Sequence, residues 1–113
     1  MTALELAKTL KGHLVGDYPD IDVEVLERDA EHTRRRVFFR SQKFDVLYPL
    51  QRYHSIAHHI PREFYDEHLA ETEWYELASG ETEADLRYAD EELVRGITPD
   101  VMRCLHGSGF LRR

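Results

Sequence analysis

The sequence predicts a single α+β domain, in which a three-stranded mixed sheet packs on helices in the order α-β-β-α-α-β and a C-terminal helical extension follows. The 113 residues are the length of one ordinary domain. Apolar residues recur at helical spacing in segments 3–14 and 49–59. In segments 21–28 and 35–41 they alternate with polar residues, as in half-buried strands. We therefore expect one hydrophobic core.

The first helix is predicted over residues 3–14. Thr2 and Glu5 have the spacing of a capping box, in which each side chain satisfies an amide left free at the start of a helix. Apolar residues then recur at helical spacing, at Leu4, Ala7, Leu10 and Leu14. Gly16 follows the last of them, so we expect the helix to end before it.

The next two elements are predicted as strands over 21–28 and 35–41. The connection between them is a short polar run. A parallel crossover needs a dozen or more residues, so this connection favours an antiparallel hairpin.

Two helices in tandem and a third strand are predicted next. Pro49 suits the first turn of a helix over 49–59, because its missing amide proton is not needed there. Pro61 ends that helix and opens the following one. Bulky β-favouring residues predict the third strand at 73–78, and Ser79-Gly80 predicts the turn that closes it.

The C-terminal part is predicted as a helical extension, 85–113, packed on the same core as the domain formed by 1–84. The stretch 98–100 is a threonine, a proline and an aspartate, which is typical of a helix start. Gly107 is expected to end this last helix.

Composition narrows the class of protein. Apolar residues make up 42% of the chain and charged residues 33%, as in an ordinary folded domain. No run approaches the roughly 18 apolar residues of a membrane span, and the first residues lack the pattern of a signal peptide. A cytoplasmic protein with no membrane contact is therefore predicted. The lone Cys104 excludes an internal disulfide and is interpreted as a buried apolar side chain, with a reactive thiol as the alternative.

Charge is unevenly distributed along the chain. The net charge is −7, yet residues 34–62 carry seven basic side chains against the single acid Asp45. Residues 63–100 carry thirteen acids against two arginines. Either the basic block is neutralised by acidic neighbours within the fold, or it faces a partner. The negative total argues against nucleic acid as the default partner, because basic residues drive binding to phosphates.

The seven histidines raise the question of a metal site. His54 and His58 are four residues apart on a predicted helix, a spacing that places two ligands on one side, and a further ligand would come from His32 or Glu63. The competing interpretation is that both rings rest on the border of the core with a nitrogen in water. Since no neighbouring acid completes a metal motif, we predict neither a metal nor a cofactor.

No catalytic constellation is recognised in the sequence. None of the serines lies in a nucleophile elbow. Cys104 and His106 are two residues apart, which on a helix directs their side chains about 200° apart. The chain is therefore predicted not to be an enzyme.

The segment that begins at Ser41 resembles the BolA family. Ser41-Gln42-Lys43-Phe44-Asp45, followed by Leu47 and Leu50-Gln51-Arg52-Tyr53-His54, follows the family pattern without a gap. That pattern is a serine, a phenylalanine and an acidic residue before a leucine-rich entry into an arginine-histidine-arginine helix. The resemblance covers about residues 1–84 and includes the predicted order of elements. It implies a class II KH-like fold and an adaptor that shares a two-iron, two-sulfur cluster with a monothiol glutaredoxin.

Several departures from this pattern bear on function. The family's cluster-binding histidine before the third strand is matched by Glu73, and the loop between the first strands offers only His32. A carboxylate is a poor substitute for imidazole at an iron–sulfur centre. Val46 also replaces the family's glycine, and Tyr53-His54 stands where histidine-arginine is usual in the family. The resemblance thus implies the fold and protein binding rather than the cluster.

The predicted partner-binding surface is basic and consists of Arg34, Arg36, Arg40, Lys43, Arg52, His54 and His58. The leading hypothesis is a non-enzymatic protein-interaction domain whose partner is an acidic or thiol-bearing protein such as a monothiol glutaredoxin. The alternative is single-stranded nucleic-acid binding by the strand arginines around Phe38. Against it, no GXXG loop separates the two predicted helices. A third interpretation is that Phe38 packs under the C-terminal extension while the arginines pair with acids there.

Overall fold

The computed structural model describes residues 1–86, which form an α+β domain with a three-stranded mixed sheet. The elements are α1 (Ala3–Leu14), β1 (Asp22–Leu26), β2 (Arg36–Arg40), a 3₁₀ turn (Gln42–Val46), α2 (Pro49–Ala57), α3 (Arg62–Phe64), a π-helical turn (Tyr65–Leu69) and β3 (Glu73–Leu77). The predicted fold class is confirmed. The helix predicted after 98, and Cys104 with it, lie outside the described residues, as does almost all of the predicted extension. Among residues 1–86, no helix has both the length and the apolar composition that a membrane span requires.

The strand β2 lies at the centre of the sheet. It pairs antiparallel with β1, with Val23 opposite Phe39, so the predicted hairpin is confirmed. It pairs in parallel with β3, with Val37 opposite Trp74. The connection from β2 to β3 contains α2 and α3, the kind of long crossover that parallel pairing requires.

The helix α1 covers one face of the sheet. Its capping box is present, because the Glu5 amide donates to Thr2 Oγ1 at 3.1 Å and the Thr2 amide donates to Glu5 Oε1 at 3.1 Å. Leu10 and Leu14, predicted as core residues, are fully buried. Leu4 was expected beside them, but it is 66% exposed. The core stripe begins instead at Leu6, which lies about 200° around the helix from Leu4.

The opposite face of the sheet is also covered. Tyr75 and Leu77 of β3 form a second buried cluster with Leu86, against which the partly buried Phe38 packs. Leu86 lies in a helical turn at 83–86. That turn begins at Thr82, whose amide donates to Asp85 Oδ2 at 2.7 Å. The segment after β3 therefore packs on the outer face of the sheet.

The first of the tandem helices is shorter than the sequence predicts, and the second changes its type. The helix predicted over 49–59 ends at Ala57, and His58 is its C-cap. After Pro61 only one short α-helical turn forms before the chain widens into the π-helical turn. The turn predicted at Ser79-Gly80 is present, and Gly80 supplies the positive φ of 78° that it needs.

Candidate functional site

The loop that joins β2 to α2 is anchored at its start by Asp20. Ser41 is the N-cap of the 3₁₀ turn, and its hydroxyl accepts a hydrogen bond from the Lys43 amide at 3.2 Å. The same hydroxyl donates to Asp20 Oδ1 at 2.7 Å, and the Gln42 amide donates to Asp20 Oδ2 at 2.8 Å. Both carboxylate oxygens of Asp20 therefore hold the start of the loop.

This anchor predicts a dependence of stability on pH. The hydrogen bonds from the Gln42 amide and the Ser41 hydroxyl hold the pKa of Asp20 below its ordinary value of about 3.9. Because the folded pKa is depressed, the stabilisation is present above the unfolded pKa of about 3.9 and is lost as the pH falls through the folded pKa. We expect Asp20→Asn to be less stable than the wild type at pH 7, and this difference to shrink at pH 2 to 3.

Urea unfolding at both pH values measures the effect. The matched control is Asp22→Asn, the same substitution at an exposed site on β1, which is expected to change stability at pH 7 less than Asp20→Asn does. A difference between Asp20→Asn and wild type that stays constant with pH would contradict the proposed role of the carboxylate.

The rest of the loop is fixed from inside the protein. Phe44 is fully buried, with its ring centroid 5.6 Å from that of Tyr18. The Ser79 amide donates to Asp45 Oδ1 at 2.7 Å. Beyond the turn, Arg52 Nε donates to the Leu47 carbonyl oxygen at 2.9 Å. The backbone from the end of β2 to the start of α2 is thus held at several points.

This fixed loop presents apolar side chains to solvent. Val46 is 86% exposed and Tyr48 is 78% exposed, and they are the most exposed large apolar residues of the described part of the chain. The Tyr48 amide donates to Gln51 Oε1 at 2.8 Å, which fixes the entry into α2. A side chain carried by an ordered backbone loses less conformational entropy on binding than one on a mobile loop.

Exposed side chains continue from this loop along one face of α2. Tyr48, Gln51, His54 and His58 follow one another at spacings of three, three and four residues, which places them on the same side of the helix. All four are exposed. We call these four residues, together with Val46, the α2 surface.

Two arginines of the predicted site, Arg36 and Arg40, lie on the outer face of the sheet and form hydrogen bonds or ion pairs within the chain. Arg36 pairs with Glu83 at 3.0 Å and with Asp29 at 3.5 Å. Arg40 donates to the carbonyl oxygens of Ala78 at 2.8 Å and Glu81 at 2.9 Å. Internal neutralisation by acidic neighbours, one of the two interpretations of the basic block, therefore describes Arg36, whereas Arg40 is held by backbone carbonyl oxygens.

The ring of Phe38 lies between these two arginines on β2. It stacks on Tyr75, with the ring centroids 5.1 Å apart and the planes at 16°. Leu86 belongs to the same cluster. The third interpretation places Phe38 under the C-terminal extension, and Leu86 supplies a contact of that kind within the described residues.

Arg52 is also engaged within the chain. It is only 6% exposed, and its Nη1 donates to the Glu76 carbonyl oxygen at 3.1 Å and to Glu81 Oε1 at 2.6 Å. Arg52 thus links α2, β3 and the following turn, instead of facing a partner. Sequence reasoning missed this role because both contacts are separated from Arg52 by more than twenty residues in the chain.

The other predicted site residues lie at the surface. Arg34 is exposed in the connection before β2, and Lys43 is exposed on the 3₁₀ turn, where it bonds the Asp17 carbonyl oxygen. His54 and His58 belong to the α2 surface. The structure therefore divides the predicted set into a buried or internally paired group and a surface group.

The histidines do not converge on a common centre. His32 Nδ1 lies 2.8 Å from Asp29 Oδ1. Within residues 1–86 no group of three or more His, Cys, Asp or Glu side chains is arranged to hold a metal ion. His59 was not a candidate, yet its Nε2 bonds the Asp17 carboxylate and its Nδ1 lies 2.9 Å from the Ser55 carbonyl oxygen. That hydrogen bond from His59 lowers the pKa of Asp17.

The positions that the BolA resemblance assigns to an iron–sulfur cluster do not suit one. Glu73 is the first residue of β3, and its Oε2 accepts a hydrogen bond from the Tyr75 hydroxyl at 3.0 Å. Iron–sulfur clusters take thiolate or imidazole ligands, and Glu73 supplies a carboxylate. The residues at these positions therefore do not fit the group.

Comparisons with known proteins supply no relative from which a function can be transferred. No family model matches the chain, and no curated protein or solved structure matches it significantly. A functional conclusion therefore depends on the surfaces that residues 1–86 present.

Proposed function

We propose that the chain is a non-enzymatic protein-interaction domain, BolA-like in architecture, that binds its partner through the α2 surface. The observation that carries the proposal is the exposure of Val46 and Tyr48, at 86% and 78%, on a loop fixed by buried and polar anchors. Burial of apolar area contributes roughly 25 cal/mol per Å², and tyrosine is common among the residues that dominate interface energies. An exposed tyrosine on a fixed backbone suits such a contact.

The chemistry of the α2 surface indicates the kind of partner. Its five residues include no acid, and the exposed Lys43 lies on the turn just before them. The carboxylate of the neighbouring Asp45 accepts the Ser79 amide. The complementary surface is therefore an apolar pocket for Tyr48 with carboxylates at its rim.

A monothiol glutaredoxin is the partner class that the BolA resemblance suggests, here bound by protein contact without a shared cluster. The motif that carries the resemblance supplies both the fixed loop and the start of α2, which supports this proposal. The antiparallel hairpin followed by a parallel third strand is consistent with it. The single cysteine of the chain is in keeping with the cytoplasmic location that we propose.

The contacts on the outer face of the sheet favour protein binding over nucleic-acid binding as the function. Arg36 and Arg40 already bond acceptors within the chain, and Phe38 stacks on Tyr75. A single-strand binding face needs free cations and open aromatic rings.

We expect Tyr48→Ser to weaken binding to a monothiol glutaredoxin by tenfold or more, because truncating a central interface tyrosine costs about 2 kcal/mol. Isothermal titration calorimetry of the purified proteins, without iron or glutathione, measures the affinity. The matched control is Leu4→Ser, which removes a 66% exposed apolar side chain from α1 and should leave binding unchanged.

Equal losses in Tyr48→Ser and Leu4→Ser would contradict the assignment of binding to the α2 surface. An absence of wild-type binding would exclude this glutaredoxin as the partner. Salt-dependent binding to single-stranded RNA or DNA, abolished by Arg34→Glu, would instead favour the nucleic-acid alternative.

A further inference from the structure

A groove of about 340 Å³ lies between α2, the π-helical turn and β3. Tyr53, Tyr65 and Trp74 line it. The centroid of the Trp74 ring is 5.4 Å from that of Tyr53 and 5.7 Å from that of Tyr65. The planes of these pairs are inclined at 42° and 75°, so the rings form angled walls and not a parallel stack.

The position of Trp74 in this groove is fixed by the polypeptide. Trp74 is 4% exposed, and its indole Nε1 donates to Thr72 Oγ1 at 2.9 Å. The Thr72 hydroxyl donates in turn to the Leu69 carbonyl oxygen at 2.7 Å. The indole is therefore held in place, and because Trp74 is almost fully buried, the accessible aromatic surface of the groove belongs mainly to the half-buried Tyr53 and Tyr65.

The rim of the groove carries a carboxylate. Asp66 lines the groove, and its side chain is 62% exposed. Arg62 also lines the groove, but its side chain is 92% exposed and its Nε lies 3.9 Å from Asp66 Oδ2, a long surface contact of little energetic value. Asp66 is therefore accessible as a counter-ion for a cation in the groove.

The backbone at the groove is unusual. The π-helical turn begins at Tyr65, so two groove residues, Tyr65 and Asp66, lie in it. Well under 1% of residues in soluble proteins are π-helical, and such turns occur frequently at functional sites.

We propose that this groove binds the trimethylammonium group of a small organic cation of the choline type. The electron-rich faces of Trp and Tyr attract a cation within about 6 Å of the ring centroid, and quaternary ammonium groups are commonly recognised in this way. A trimethylammonium group donates no hydrogen bond and is only weakly hydrated, so an aromatic lining suits it better than a polar one. Asp66 at the rim balances its charge, and the groove has the size of a small-ligand site.

Choline titrated into the full chain at constant ionic strength tests the proposal. Trp74 is the only tryptophan of the chain, so its fluorescence reports on this groove alone. The neutral isostere 3,3-dimethylbutan-1-ol has the same shape without the charge. We expect choline to bind about tenfold more tightly than the isostere, since aromatic groups favour the cation over a neutral group.

The choline affinities of point variants show whether binding depends on the aromatic faces and the Asp66 charge or only on packing. We expect Tyr65→Leu to weaken choline binding by about tenfold and Tyr65→Phe to retain it, because the phenyl ring keeps the π face. Asp66→Asn is expected to weaken binding several-fold, whereas Arg62→Gln is expected to strengthen it. Glu67→Gln, the same loss of charge at the next residue but outside the groove lining, should leave binding unchanged.

Three results would overturn the proposal. The first is binding of choline no tighter than that of the neutral isostere, or no saturable binding of choline at all. The second is a Tyr65→Leu variant with native circular dichroism and wild-type affinity; if that variant fails to fold, wild-type affinity in the surface variant Asp66→Asn has the same meaning. The third is tighter binding of a trimethyllysine peptide than of choline, which would assign the groove to a modified protein instead of a small molecule.

Discussion

Arg52→Met is expected to lower the free energy of unfolding by about 3 kcal/mol, because it removes one partner of a largely buried ion pair. Arg52 is 6% exposed and donates to Leu47, Glu76 and Glu81. The substitution keeps most of the apolar stem but leaves two carbonyl oxygens and the Glu81 carboxylate without this donor. A loss of about 3 kcal/mol is at the lower end of the range for removing one partner of a buried ion pair. We expect the lower end because the Glu81 side chain is 31% exposed and water can hydrate it.

Urea unfolding followed by circular dichroism measures this loss. The matched control is Arg62→Met, the same substitution at a side chain that is 92% exposed, which should change stability by less than about 0.5 kcal/mol. In a double-mutant cycle with Glu81→Gln, we expect a coupling energy of about 1 kcal/mol or more. If Arg52→Met were as stable as Arg62→Met, Arg52 would not be a structural residue, and the interpretation of it as a partner contact would regain support.

The elements of the fold were predictable because their signals are local. The capping box of Thr2 and Glu5, the alternation in the hairpin and the proline at the start of α2 each depend on residues a few positions apart. The sequence did not indicate which side of α1 is buried. Leu4 and Leu10 both fit a helical repeat, but only packing on the sheet places Leu10 inside and Leu4 outside.

The candidate site was less predictable, since its contacts join distant parts of the chain. A basic block can be counted in the sequence, but Arg36 meets Glu83 across 47 residues and His59 meets Asp17 across 42. Contacts between residues so far apart in the chain leave no periodic pattern in the sequence from which they could be predicted. The exposure of Val46, two residues after the buried Phe44, was equally hidden, because it depends on the conformation of the 3₁₀ turn.

Phe44→Ala is expected to lower the free energy of unfolding by about 3–5 kcal/mol, because it removes a fully buried ring and leaves a cavity beside Tyr18. Phe44 also anchors the turn that presents Val46 and Tyr48. Its carbonyl oxygen accepts the Leu47 amide at 3.2 Å. Loss of the ring should therefore loosen the loop and weaken partner binding as well as stability.

Amide hydrogen exchange separates the global loss of stability in Phe44→Ala from the local loosening of the loop. In Phe44→Ala we expect the Leu47 amide to exchange faster than global unfolding alone predicts, since the loop opens locally. Phe44→Leu, which keeps an apolar side chain, is the matched control and should cost less than Phe44→Ala while largely preserving Leu47 protection. If Phe44→Ala were destabilised but bound its partner normally below its melting temperature, presentation of the α2 surface would not depend on this anchor. The anchored loop would then be a feature of stability only, and the apolar exposure of Tyr48 would remain as the sole basis for binding there.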